Sequence, residues 1–235
     1  MLLQPSIKPV LVASLSLALG LALSPLSHAG KATIMSAEGS SAEFEYAGDK
    51  LRIDMPGGKS YMLIRDGAMY VVSFEGGAPM VFNASEMMKG MASQPGQMAP
   101  SALNAEFVSL EDTGNDETVA GMAGDIYTFT FRDENGEERS EEVVLTSDAR
   151  AIEFRDALFS MSAIAEELTT EDVMKQGRDL QERLESMKVG VLRYGKEMYV
   201  SEMSGEEIPA ERFELPAQPM DMQGLGNMLK GLQKP

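Results

Sequence analysis

Chemistry in this chain has to proceed without the two side chains that carry most enzymatic and metal chemistry. The single histidine, His28, stands within the first 29 residues, and there is no cysteine anywhere. Beyond residue 29 there is therefore no Ser-His or Cys-His nucleophile pair, no His-ligated zinc and no side chain that titrates near neutrality at its ordinary pKa. No cofactor and no enzymatic activity are expected. The chain is instead rich in methionine, with 19 residues. Met87, Met88 and Met91 crowd together, with Met98 close behind. Thioethers are soft ligands that suit Cu(I), so this cluster is a candidate metal site. Without a histidine or a repeated M-x-x-M array, apolar surface or composition bias is the favoured reading of the same residues.

Carboxylates are abundant, in runs at Glu134–Glu142 and at Glu206-Glu207. Paired carboxylates cleave glycosidic bonds when held about 5–9 Å apart in a cleft. Nothing in the spacing places two of these in one cleft, so a solvated acidic surface is expected. Arg52 and Asp54 lie two apart on one strand face. Arg52 could hold a head group at a cavity mouth, although a solvated sheet face is the favoured reading for both.

The residues that pattern most strongly are apolar. Phe44, Tyr46, Leu51, Ile53 and Met55 make one stripe, which Met62, Ile64, Met69, Val71, Met80 and Phe82 can continue around a sheet. Such a face is either a pocket wall, where flexible Met suits guests of variable shape, or a dry core packed by helices. The dry core is the favoured reading for most of them.

The elements that must position this face follow from periodicity. Ser41–Tyr46 and Lys50–Met55 alternate apolar and polar, as half-buried strands do. Ala47-Gly48-Asp49 turns between them. Ser60–Arg65 and Ala68–Phe74 are apolar on both faces and are joined by Asp66-Gly67, a strong hairpin signal. Both faces of these strands must be covered. Ala78–Asn83 adds a strand, and Ser85 can cap a short helix. Residues 91–104 are Pro-, Ser- and Gln-rich and read as a mobile loop. Strands resume at Ala105–Glu111, Gly124–Arg132 and Glu141–Thr146, with Asn135-Gly136 in a second hairpin turn. Helical spacing then runs over Ile152–Leu168 and from Thr170 to Met187, where Gly190 is expected to stop the second helix. Val191–Met203 returns to strand, Phe213–Pro216 closes the domain, and Met-rich residues 217–235 read as a disordered tail.

The N-terminus carries the marks of export. Lys8 precedes an apolar run, Val10–Leu23, and small residues lead to Ala29. A basic start, a 7–15-residue apolar stretch and a small-x-small site make a secretory leader, and the run is short for a membrane span. Residues 1–29 are therefore expected to be removed, leaving Gly30 first in a periplasmic protein with no integral span. The net charge of −17 opposes nucleic acid and anionic membrane surfaces.

GDKLRIDMPGG followed by YMLIRDGAMYVVSFEGGAPMVFN resembles the LolA/LolB-like superfamily of periplasmic lipoprotein carriers. Arg52-Ile53-Asp54-Met55, Val119-Ala120-Gly121 read as opening a strand, and Phe213-Glu214-Leu215-Pro216 are more similar to its relative, the DUF4412 domain family. The likeness runs over about residues 42–216. Relatives often have a Cys shortly after the Val-Ala-Gly step, where this chain reads Met122-Ala123-Gly124, so any thiol role is absent. The resemblance implies an α+β fold: a curved antiparallel sheet, a LolA-like half-barrel, wrapped around two helices in a single domain over 30–216. It also implies an apolar concave face that binds a hydrophobic ligand, either a lipid or an acylated protein. The alternatives are an interaction module for an envelope protein, with a self-filled core, and the Met-based Cu(I) binder.

Overall fold

A computed structural model describes residues 29–55, 57–74, 77–92, 106–133, 135–166 and 171–220. The expected leader up to residue 28, Met98 with most of the expected loop, and the tail from 221 lie outside the described residues.

Eleven strands form one open sheet whose neighbours all run antiparallel. The first six are β1 (Ala29–Ser36), β2 (Ser41–Ala47), β3 (Lys50–Asp54), β4 (Ser60–Arg65), β5 (Ala68–Ser73) and β6 (Met80–Asn83). Helix α1 (Ala84–Ala92) follows, then β7 (Glu106–Val119), β8 (Met122–Arg132) and β9 (Glu138–Thr146). Helices α2 (Ala149–Glu166) and α3 (Glu171–Met187) occupy the connection to β10 (Gly190–Tyr194) and β11 (Met198–Ser204). Two meanders, β1–β6 and β7–β11, join edge to edge where β1 pairs with β11.

The expected hairpins form where the turn chemistry asks for them. Asp66 and Gly67 both take positive φ, 52° and 71°, the backbone of the tight turn whose twist matches the flanking strands. At the second, the Asp133 carboxylate accepts the backbone N–H groups of Asn135 and Glu137.

Other elements differ from expectation. β1 is a strand that the sequence reading does not assign, since that reading takes residues 1–29 as a leader and begins the strands at Ser41. Its alternation of Lys31 and Thr33 with Ala32 and Ile34 nonetheless suits a central strand, and Ala29 is buried in the core, so the sheet starts before Gly30. Val119-Ala120-Gly121 does not open a strand. β7 runs on through two register shifts, and Ala120-Gly121 is the β7–β8 turn, with φ of 51° and 76°. Helix α1 is capped by Asn83, whose side chain accepts the Glu86 N–H at 3.1 Å. The Ser85 hydroxyl instead accepts the Met69 N–H of β5. Helix α3 ends at Lys188, in the left-handed region with φ 55°, so Gly190 is free to begin β10.

The two faces of β2–β6 are covered differently. One face is met by α2. On the other, which we call the outer face, Tyr61, Leu63, Val72 and Val81 pack against Ile208, Phe213, Leu215 and Ala217 of a strap that follows β11. The strap contains a 3-10 turn, Ala210–Phe213. It extends past the expected domain end at 216: Ala217 packs on this cluster, and the Met220 N–H donates to the Val81 carbonyl at 2.8 Å. This strap covers the second apolar face of β4 and β5. In the other meander, Val143 and Leu145 meet Leu184 of α3, while Val144 between them joins Val119, Met122, Leu192, Val200 and Ala151.

Candidate functional site

Strand register gathers the expected apolar residues into rows on one face. Tyr46, Leu51, Ile64 and Met69 lie opposite one another on successive strands and form the first row. Phe44, Ile53, Met62, Val71 and Phe82 form the second, across five strands. Two residues further along their strands, Met55 and Met80 begin a third, with Met80 opposite Ser73. All eleven residues share this face because the side-chain period of a strand is two and no bulge interrupts β2–β6.

Coverage falls from row to row. Tyr46, Leu51 and Ile64 are at most 1% exposed. Helix α2 seals them with Phe154, whose ring sits 5.2 Å from that of Phe44 and 5.5 Å from that of Tyr46, and with Ala157 and Ile164. The Tyr46 hydroxyl donates to the Arg150 carbonyl at 3.2 Å, and burial pushes its phenol well above its ordinary pKa. The second and third rows are only half-buried: Phe44, Ile53, Met62, Val71 and Phe82, then Met55 and Met80. Leu158 and Met161 of α2 reach the edge of this zone.

Arg52 is on the other face and cannot stand at the mouth of this one. Neither is it on a solvated sheet face, as favoured from sequence. Its side chain is 11% exposed, stacks 3.5 Å over the Tyr61 ring and donates to Asp54 at 2.7 and 3.0 Å. Arg212 of the strap closes the network, donating to Glu45 at 2.6 Å and to Asp54 at 3.0 Å. Backbone carbonyls of the strap are held as well, Arg212 by Arg52 and Phe213 by Arg65. An open cleft of about 400 Å³ lies beside the strap, among Lys31, Glu45, Asp54, Glu206 and Arg212. Within it Lys31 bridges Glu206 at 3.0 Å and Glu45 at 3.6 Å.

Met87 and Met88 are half-buried on α1, and the Met91 side chain lies outside the described ones, so the geometry of the thioether cluster is not on view. Among the described residues, no three His, Cys, Asp or Glu converge to hold a metal ion. Within the acidic runs, Glu138 pairs with Arg132, Asp133 and Glu137 with Arg139, and Glu142 with Arg193. These carboxylates of the first run are bound up with neighbouring arginines, and Glu206 of the second pairs with Lys31 in the cleft beside the strap.

Residues that sequence reasoning missed are those whose partners lie far along the chain. Arg212 and Glu45 are 167 residues apart. Arg155, 8% exposed, spans from α2 to the carbonyls of Leu184 and Val189 at the end of α3. Asp148 was legible, since a Ser-Asp pair before an apolar helix marks an N-cap. Its carboxylate accepts the Arg150 N–H at 3.0 Å.

Among the described residues no helix is long and apolar enough to cross a membrane. No protein-family model, curated protein or solved structure matches this chain.

Proposed function

We propose that this chain is a non-enzymatic protein of the periplasm whose half-covered sheet face takes an apolar guest, such as the acyl chain of a lipid or of an acylated protein. One observation carries the reading. Seven apolar side chains in two adjacent rows, Phe44, Ile53, Met62, Val71 and Phe82 with Met55 and Met80, stay half-exposed beside a row that α2 seals. Apolar surface removed from water there is worth about 25 cal/mol per Å². Three of the seven are methionines, whose unbranched chains adjust to guests of different shape. The LolA-like half-barrel implied by the sequence resemblance is the architecture that suits such a guest, with α2 as its movable cover. The absence of His and Cys beyond residue 29 is the ground for the non-enzymatic reading.

A second reading has its own observation. Phe154 already fills the first row, which favours an interaction module whose core is its own and whose exposed rows meet another envelope protein.

Titration with cis-parinaric acid separates the two. Met62→Glu and Val71→Glu, each checked for folding by circular dichroism, are expected to weaken binding about tenfold or more, the equivalent of 1.4 kcal/mol. Glu111→Lys on exposed β7 is expected to leave it unchanged. Equal binding by all four proteins, or none by any, contradicts an apolar site on this face.

A further inference from the structure

The apolar rows end at strand β6, and so does the described chain. The strap leaves the outer cluster at Ala217, and by Met220 it has reached the sheet edge, where Met220 forms a parallel bridge with Phe82. Phe82 is the terminal member of the second row. The chain is thus delivered from the outer face to the edge beside the half-covered rows, with residues 221–235 still to follow.

Those residues have the chemistry of a guest. Met222, Leu225, Met228, Leu229 and Leu232 are apolar, and Asp221 is the only acid, against Lys230 and Lys234. In a chain of net charge −17 this segment is not repelled by the rest of the molecule. The spacing of 222, 225, 229 and 232 is that of one helical face. The length also fits. The second row crosses five strands, and four gaps of about 4.8 Å make about 19 Å. Fifteen residues reach about 22 Å as a helix, at 1.5 Å each, and further if extended.

We propose that segment 221–235 is the resident occupant of the half-covered face, docking in cis along Phe82, Val71, Met62, Ile53 and Phe44 and yielding to an apolar guest. This rests on the reading of that face as a binding surface and adds its regulation. A guest then meets a site open only in the fraction of molecules whose tail is displaced, and its apparent affinity falls by that fraction.

The test uses the full chain. Because the protein has no cysteine, Leu229→Cys can be labelled uniquely with benzophenone-maleimide, irradiated, and mapped by mass spectrometry. The expected cross-links are within one chain, to peptides holding Met62, Val71 or Phe82, and they are lost in excess cis-parinaric acid. Cross-links to the outer face, to a second copy, or to no protein site overturn the proposal. The triple variant Leu225→Ser, Leu229→Ser, Leu232→Ser is expected to bind cis-parinaric acid about tenfold more tightly than the unaltered chain, as removing the competing occupant requires. Unchanged affinity overturns the resident tail and leaves the apolar site standing. No binding by either protein, with the cross-links to this face in place, overturns the guest and leaves the tail as a permanent part of the core.

Discussion

A side chain at residue 190 has nowhere to go. Any Cβ built there falls on the Ala151 carbonyl and methyl group, because the start of β10 runs against the first turn of α2. Gly190→Ala is therefore expected to cost about 1–3 kcal/mol through overpacking, read as a lower urea midpoint at unchanged slope. An unchanged midpoint would mean that α2 is not seated on β10. From sequence this glycine reads as a helix stop, since close approach between distant segments leaves no local mark. Asp148, at the same corner, offers a test by pH. Hydrogen bonds from the Arg150 guanidinium and backbone N–H hold its carboxyl below the usual carboxylate range against the opposing effect of burial. A depressed folded pKa means the stabilisation is present above the unfolded value of about 3.9 and is lost as pH falls through the folded value. Asp148→Ala is expected to cost about 1 kcal/mol at pH 7, the usual worth of an N-cap. That difference should close in acid as the native carboxylate is protonated. A difference that persists undiminished in acid would place the effect in packing instead.

At the scale of elements, the helices and the strap are held by arginines that the local pattern does not reveal. Arg155 satisfies two carbonyls at the C-terminal end of α3 while its other edge binds Asp156 at 2.6 and 2.9 Å. Replacing it with Met keeps the stem and takes the guanidinium donor from the Val189 carbonyl, at about 1–3 kcal/mol for an unmet acceptor, while the Leu184 carbonyl keeps the Val189 N–H at 3.2 Å. Arg155→Met should therefore lower the hydrogen-exchange protection of α3 well before that of the central strands. Protection lost uniformly would show that α3 does not open separately from the sheet. Period-two alternation made β2 and β3 legible to within a residue or two, as two-sided apolar runs did β4 and β5, and Asp66-Gly67 fixed a turn through its backbone demand. What escaped was set by tertiary contact. β1 was masked by its position after the expected leader, the β7–β8 turn by an Ala in a left-handed conformation, and the strap by its lack of any period. The Arg52 and Asp54 pair looked like a solvated face because nothing near it in sequence announces the strap that covers it.

At the scale of the molecule, two meanders meet at β1 and β11, and their coverings differ in completeness. The β4 and β5 outer face is closed by the strap, the first inner row by α2, and the two rows beyond it only partly. The eleven residues of the candidate site were legible as a set because strand period and hairpin register act locally and carry across five strands. The role of Phe154 as the plug of the first row was not, because helical spacing says which face of α2 is apolar and not what it touches. The most direct test of an apolar guest is native mass spectrometry of the protein purified gently from cells, with lipid analysis of an organic extract. A stoichiometric acyl-containing adduct that is lost in Met62→Glu is expected. A bare protein at the mass of the chain, under conditions in which a known lipid carrier retains its cargo, would contradict it.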